Sequence, residues 1–208
     1  MESVTSIPAA YEAYIHLHGK RPASVRAFVE AQSVTEADFY AEAGSFFALE
    51  RKILRTHLDT TLERLAADPA YAGYGAREKA LACMFTWLEV LTPQRTFVQV
   101  ASTQEACLGL SPYLQALEEP IKAWARNLVR DGITSTEIAD RLLVTQWYKD
   151  HIWAILYTVT GYWLRDQSAN FADTDAFVEK TVNFYFDLVQ PNSLDSGLDL
   201  LRFVFRIS

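Results

Sequence analysis

Residues 24–54 read SVRAFVEAQSVTEADFYAEAGSFFALERKIL, and the spacing of their apolar residues indicates the class of fold. Its first part has one apolar helix face with i, i+3, i+4 spacing, formed by Val25, Phe28 and Val29. A polar turn interrupts the pattern. Thr35 and Asp38 then predict a second helix start, because a hydroxyl at the cap with an acid three residues later satisfies free backbone donors. The stretch therefore predicts two short helices separated by a turn.

A third and longer helix is predicted after Gly44 and Ser45, which end the second. Its apolar residues keep helical spacing as far as Leu65, and they include Phe47, Leu49, Ile53, Leu54 and Leu58. Pro69 ends this helix because proline has no backbone donor. Residues 1–68 are therefore predicted to form an N-terminal helical domain. Residues 69–208 form a larger second domain, joined to the first through the turn-rich stretch 71–75.

These residues resemble the N-terminal helix-turn-helix domain of the TetR family of one-component repressors. The matching positions are the opening at 24–26, the turn residues Val34 and Thr35, the recognition-helix pair Phe39 and Tyr40, and Gly44, Ser45, Ala48 and Leu49 at the start of the connecting helix. The resemblance implies a homodimer that regulates transcription by binding duplex DNA and a small ligand. The DNA contacts that it implies are Ser24, Arg26, Thr35, Tyr40, Ser45 and Lys52.

The charges of this stretch disfavour DNA binding. Residues 33–45 contain three acids, Glu36, Asp38 and Glu42, and no lysine or arginine. Residues 1–55 contain six bases against seven acids. Phosphate neutralisation by lysine and arginine supplies most non-specific affinity for DNA. Two hypotheses therefore stay open: a TetR-like ligand-responsive regulator, or a protein on the same scaffold that binds a hydrophobic ligand or lipid without binding DNA.

Composition narrows the class of protein further. The 208 residues are 50% hydrophobic with a net charge of −7, as expected of a soluble globular protein. The sequence shows neither a secretion signal nor an apolar run long enough to span a bilayer, so a cytoplasmic protein is expected. Cys83 and Cys107 form no CxxC pair, and no metal site or cofactor is expected. The phosphate-loop, nucleophile-elbow and zinc-hydrolase motifs are absent, so no enzyme is expected.

The rest of the chain has helical periodicity throughout, which predicts an all-α fold. Helices are expected over 76–91 and 94–101, from Pro112 to Asp131 and Gly132, from a capping box at 134–137, and over 147–165, 173–189 and 194–205. Pro120 is expected to kink the third of these. The order resembles the larger TetR domain, which binds a small molecule within a helical bundle and dimerises through its last two long helices.

Aromatic side chains supply the candidate ligand and dimer contacts. Large rings give apolar contact area, and indole N–H and phenol O–H groups can orient a ligand. The candidate pocket residues are Trp87, Phe97, Tyr113, Trp124, Trp147, Tyr148 and His151. The candidate dimer contacts are Trp153, Tyr157, Phe177 and Phe184, because the helix over 147–165 is apolar on most sides and must bury more than one face. The alternative for each ring is a place in an ordinary core.

Overall fold

The computed structural model describes residues 6–102, 113–141 and 144–192. Within these ranges the fold is all-α and contains no strand, which confirms the predicted class. The α-helices are α1 (Ile7–His18), α2 (Val25–Gln32), α3 (Glu36–Glu42), α4 (Phe46–Ala67), α5 (Ala76–Leu91), α6 (Arg95–Ser102), α7 (Glu118–Thr134), α8 (Tyr148–Trp163) and α9 (Ala172–Val189). Short 3-10 turns precede α5, α6, α7, α8 and α9.

The two short N-terminal helices begin and end where the sequence predicts. The Ser24 hydroxyl caps α2, and Ser33 ends it in the left-handed conformation with φ of 54°. At α3 the Thr35 hydroxyl accepts from the Asp38 N–H at 3.1 Å, and the Asp38 carboxylate accepts from the Thr35 N–H at 2.9 Å. The predicted capping box is confirmed. These caps satisfy backbone donors that a helix leaves free at its first turn.

The chain forms two compact units that do not follow sequence order. Unit 1 comprises Met1–Arg64 and Thr86–Glu118, and unit 2 comprises Leu65–Phe85 and Glu119–Ser208. The chain crosses between them within α4, within α5 and at the start of α7. The division into domains at residues 68 and 69 stays a prediction.

Unit 1 has an aromatic core built by α1 to α4. The Tyr11 ring stacks on Phe46 at 5.1 Å and meets Phe28 edge-on at 5.6 Å, and Phe39 lies 5.3 Å from Phe46. Phe28 and Phe39 are fully buried, as expected for the inward-facing residues of the two short helices. Burial of these rings therefore fixes α2 and α3 on α1 and α4.

Unit 2 is organised around the packing of α8 against α9. Their buried faces carry Ile152, Leu156 and Val159 on α8 and Val178, Val182 and Phe186 on α9. The Tyr162 and Phe177 rings stack between the same two helices, with centroids 4.4 Å apart and planes inclined by 8°.

Two local predictions in unit 2 are wrong. Helix α7 does not end at Gly132 but continues to Thr134. Gly132 serves close packing instead, because an added Cβ would lie 2.6 Å from Ile138 Cδ1. The capping-box pattern at 134–137 starts no helix, since residues 135–141 are non-helical and Thr136 has φ of 64°. Pro120 lies in the first turn of α7, where proline leaves no hydrogen bond unmade, and the kink expected there stays a prediction.

The predicted helix over 194–205 lies outside the described residues, as do Pro112 and Cys107. Cys83 is fully buried, and burial raises the pKa of its thiol to about 12. This pKa is that of an inert core thiol.

Candidate functional site

The exposed side of α2, α3 and the start of α4 in unit 1 forms the α2–α3 surface. We define it by the predicted contact residues Ser24, Arg26, Thr35, Tyr40, Ser45 and Lys52. All six are exposed, and the Tyr40 ring is 53% exposed. The fold thus presents the predicted residues on one unit and buries Phe39, the neighbour of Tyr40 in α3.

The three hydroxyls of the α2–α3 surface act as helix caps. Those of Ser24, Thr35 and Ser45 each accept a backbone N–H at 3.1 Å. The Thr35 hydroxyl also donates to the Asp38 carboxylate at 2.6 Å, so its proton is engaged within the chain. Hydrogen bonds from this hydroxyl and from the Thr35 N–H lower the pKa of Asp38, which keeps a full negative charge at the start of α3.

Most bases of the N-terminal helices are paired with acids of the same chain. Lys52 Nζ lies 2.5 Å from Glu42 Oε1, and Arg26 Nε lies 2.9 Å from Glu30 Oε1. Arg55 pairs with Asp59 in the same way. In the described part of the chain, the bases of this region without a carboxylate partner are Lys20 and Arg51. The Arg51 guanidinium lies over the Phe47 ring, 5.6 Å from its centroid. The α2–α3 surface therefore has little uncompensated positive charge.

The remaining base, Arg21, belongs to a buried polar cluster of unit 1. Its Nε donates to Glu50 Oε1 at 2.6 Å, and its NH2 group donates to Glu50 Oε2. The Tyr11 hydroxyl donates to Glu50 Oε1 at 2.7 Å. Burial, followed by the neighbouring Glu50 charge, raises the pKa of Tyr11, so this phenol stays protonated. The cluster joins α1, α4 and the segment before α2, and Arg21 also approaches the Ala101 carbonyl of α6 at 3.4 Å.

The predicted pocket residues divide between the units. Trp87, Phe97 and Tyr113 are buried in unit 1, and the Phe97 and Tyr113 rings lie 6.2 Å apart. The Tyr113 hydroxyl is buried and has no hydrogen-bond partner among the residues described. Burial and then the nearby Glu50 charge raise its pKa well above the ordinary value. An unpaired buried hydroxyl is costly, which is the feature that most favours a polar ligand contact at Tyr113.

The other four lie in unit 2 and differ in exposure. Tyr148 is buried, and its hydroxyl is likewise without a partner in the described part of the chain. Trp124 is half-buried and hydrogen-bonds to Tyr71, whereas Trp147 is 57% exposed. His151 is exposed beside Tyr185, with ring centroids 6.1 Å apart. Trp147 and His151 thus face solvent on their own unit, and their role in a pocket stays a prediction.

Sequence reasoning missed a groove of about 460 Å³ in unit 2, which we call the α7–α8 groove. It is lined by Arg126, Val129, Arg130, Ile133, Thr134, Thr145, Gln146 and Lys149. The signal was present: the α7 residues that line it follow the i, i+3, i+4, i+7 spacing of one helix face. That face mixes basic, polar and apolar residues. Since none of its described lining residues is aromatic, the criterion that selected the pocket residues did not include it.

The candidate dimer contacts lie on the last two described helices. Phe184 is 66% exposed on α9, and Leu188, one turn later, is 55% exposed. Trp153 and Tyr157 are half-buried one turn apart on α8, with ring centroids 5.7 Å apart. Phe177 is half-buried by its stack on Tyr162. Of the candidate dimer helices, α9 therefore presents an exposed apolar pair, Phe184 and Leu188, that would gain from burial in an interface.

Among the described residues, no group of three or more His, Cys, Asp or Glu side chains could hold a metal ion. No described helix combines the length and apolar character that crossing a bilayer requires.

Residues 79–204 match a family model described as the tetracyclin repressor-like C-terminal domain. The match covers more than half of the chain and includes both α8 and α9. A comparison with curated proteins found no match.

Proposed function

The chain belongs to the tetracyclin repressor-like family, and we propose that it is a ligand-responsive transcriptional regulator of the TetR type. The observation that carries the proposal is the family match over residues 79–204, together with a preceding pair of short capped helices separated by three residues. The match bears on the C-terminal domain. The DNA-binding role of the N-terminal helices rests on their resemblance to the helix-turn-helix.

In this proposal α3 enters the major groove of duplex DNA and the residues around it contact phosphates. Tyr40 donates its exposed hydroxyl, and Lys52, Lys20 and Arg51 supply positive charge. The backbone N–H groups at the α2 and α4 starts add donors for phosphate oxygens. Binding of a small hydrophobic ligand in the C-terminal domain changes the affinity for DNA, as linkage between two sites requires.

The regulator acts as a homodimer in this proposal. A symmetric dimer presents two copies of α3 to two halves of a pseudo-palindromic site. We assign its interface to α8 and α9, with Phe184 and Leu188 at its centre. Their exposure supports the assignment, because large apolar side chains one turn apart on a helix gain most from burial against a second copy.

A second function is favoured by the charges of the α2–α3 surface: a protein that binds a hydrophobic ligand or lipid without binding DNA. Four of the six bases in residues 1–55 are engaged by Glu30, Glu42, Glu50 and Asp59. Glu36 and Asp38 lie in the first turn of α3, and hydrogen bonds from Thr35 lower the pKa of Asp38. Acids at that position stabilise the helix through its dipole but repel a polyanion.

Fluorescence anisotropy separates the two functions. The purified protein is titrated into labelled duplexes, one with the upstream region of its own gene and one of shuffled sequence, at about 50 and about 200 mM salt. The regulator requires saturable binding that prefers the upstream duplex and weakens with salt. Absence of binding at the lower salt would rule out the regulator and leave the ligand-binding protein.

A further inference from the structure

The α7–α8 groove carries a charge opposite to that of the whole protein. Its lining contains three bases, Arg126, Arg130 and Lys149, and no acid is among the lining residues that the structure describes. The chain as a whole has a net charge of −7. A locally positive concave surface in an acidic protein concentrates anions from solution.

The two arginines are the groups most available to a ligand. Arg126 is exposed and has no ion-pair partner in the ranges that the structure describes. Arg130 has only its chain neighbour Asp131, at 3.4 Å. Lys149, in contrast, is held by the Gln146 carbonyl at 2.6 Å and by Asp150 at 3.0 Å. Guanidinium groups are planar forks of donors that match oxyanions, so the two arginines are suited to bind the head of an anionic ligand.

Their spacing gives a second reason. Arg126 and Arg130 are four residues apart on α7, on the same helix face. Like charges at this spacing repel and weaken a helix. A bound anion between them would relieve the repulsion, and it would bind more tightly to the pair than to either arginine alone.

The same helix face also supplies apolar contacts. Val129 is 7% exposed and Ile133 is half-buried, and both line the groove between and beyond the arginines. The volume of about 460 Å³ lies within the usual range for sites that hold small organic molecules. The two guanidinium groups and the apolar side chains beside them suit a ligand that has an anionic head and an apolar body.

We propose that the α7–α8 groove binds a small anionic amphiphile, with its carboxylate between Arg126 and Arg130 and its aliphatic body against Val129 and Ile133. The assignment names the ligand class of the C-terminal domain and in that respect rests on the proposed function. It does not depend on DNA binding.

Isothermal titration calorimetry of the full chain with octanoate, 1-octanol and acetate tests whether the carboxylate and the aliphatic chain of the ligand both contribute to binding. Octanoate is expected to bind at least about tenfold more tightly than either of the others, because octanol lacks the charge and acetate lacks the chain. Equal binding of octanoate and octanol would overturn the role of the arginines. Equal binding of octanoate and acetate would overturn the apolar contact.

Variants locate the site. Arg126→Gln and Arg130→Gln are each expected to weaken octanoate binding about tenfold, and Ile133→Ser to weaken it several-fold. The matched control is Arg64→Gln, which removes an exposed arginine of α4. Arg126 and Arg130 are exposed, and circular dichroism should show both variants folded. Octanoate binding that survives both substitutions would overturn the assignment. Because no DNA is present, this failure would leave the regulator proposal standing.

Discussion

Lys52 Nζ lies 2.5 Å from Glu42 Oε1, so an ion pair ties the last residue of α3 to α4. Both side chains are partly exposed, at 55% and 29%. An exposed pair of this kind contributes little to stability, of the order of 0 to 1 kcal/mol. Its larger effect is on charge, because Glu42 neutralises Lys52, a base of the α2–α3 surface, at the end of the proposed recognition helix.

The Lys52–Glu42 pair predicts that removing the acid strengthens DNA binding. Glu42→Gln frees Lys52 for a phosphate and should raise the affinity for duplex DNA several-fold. It should also steepen the plot of log affinity against log salt by about one. Lys52→Ala should lower the affinity by a similar factor. Anisotropy titrations over a series of salt concentrations measure both quantities.

The matched control for this prediction is Glu63→Gln, which removes an exposed acid from the far end of α4 and changes the net charge equally. If Glu63→Gln raises the affinity as much as Glu42→Gln does, the effect comes from total charge. Lys52 would then not be a phosphate contact.

The helices of the N-terminal region could be predicted because each boundary has a local cause. Capping residues, a left-handed serine and a proline act within one turn of the chain, and the pattern of apolar residues marks which side is buried. The ion pairs could not be predicted in the same way. Lys52 and Glu42 are ten positions apart and belong to different helices, and Arg21 and Glu50 are brought together only by folding.

The 134–137 stretch shows why a local signal can fail. Its Thr-x-x-Glu pattern predicts a capped helix, yet the Glu137 carboxylate accepts from the Ser135 hydroxyl and from the Arg77 N–H of α5. Contacts distant in sequence therefore engage the acid that would have capped the helix. The α7–α8 groove was missed for a related reason, because its two sides are separated in the chain and the described residues between them, 135–141, form no regular element whose course the residue pattern could determine.

The buried Arg21–Glu50 pair predicts a large effect on stability. Arg21→Met leaves the fully buried Glu50 carboxylate without its cation and should lower the free energy of unfolding by about 3 kcal/mol. Replacing both residues by methionine should cost less than the single substitution, because no buried charge is then left unpaired. Chemical denaturation followed by circular dichroism measures the three free energies.

Arg55→Met serves as the control for this pair. Arg55 and Asp59 form an exposed pair on α4, and its loss should change the free energy of unfolding by no more than about 0.5 kcal/mol. If Arg21→Met and Arg55→Met lower the free energy of unfolding equally, burial of Glu50 does not increase the contribution of its ion pair with Arg21.

The exposed pair Phe184 and Leu188 predicts the oligomeric state of a variant. Phe184→Glu places a charge at the centre of the proposed interface and should convert the proposed homodimer into a monomer, because a buried unpaired carboxylate is costly. Light scattering coupled to size-exclusion chromatography gives the mass of each species.

The control is Leu17→Glu, which introduces the same charge at a 79% exposed position of α1. This variant should remain dimeric. A wild-type protein that is already monomeric, or a Phe184→Glu variant that stays dimeric, would refute the α8–α9 interface.

Asp166 predicts a dependence of stability on pH. Its carboxylate lies just before α9, where it accepts from the Thr174 hydroxyl at 2.5 Å, from the Thr174 N–H at 2.9 Å and from the Ser168 N–H at 2.7 Å. These bonds, the one from the Thr174 hydroxyl foremost, lower the pKa of Asp166 to about 2. An unfolded aspartate has a pKa of about 3.9. The folded state therefore favours the charged form, and this contribution to stability is complete above about pH 4 and is lost as the pH falls through about 2.

Asp166→Asn should accordingly lower the melting temperature at pH 6, and its difference from wild type should shrink as the pH approaches 2, because wild-type Asp166 then takes up a proton. Thermal melts of both proteins at several pH values between 6 and 2 measure this difference. Asp175→Asn removes an exposed acid from the first turn of the same helix and should give a much smaller change with pH. A difference for Asp166→Asn that is constant over the whole pH range would mean that the carboxylate charge does not hold the start of α9, and that hydrogen bonds which asparagine also makes are sufficient.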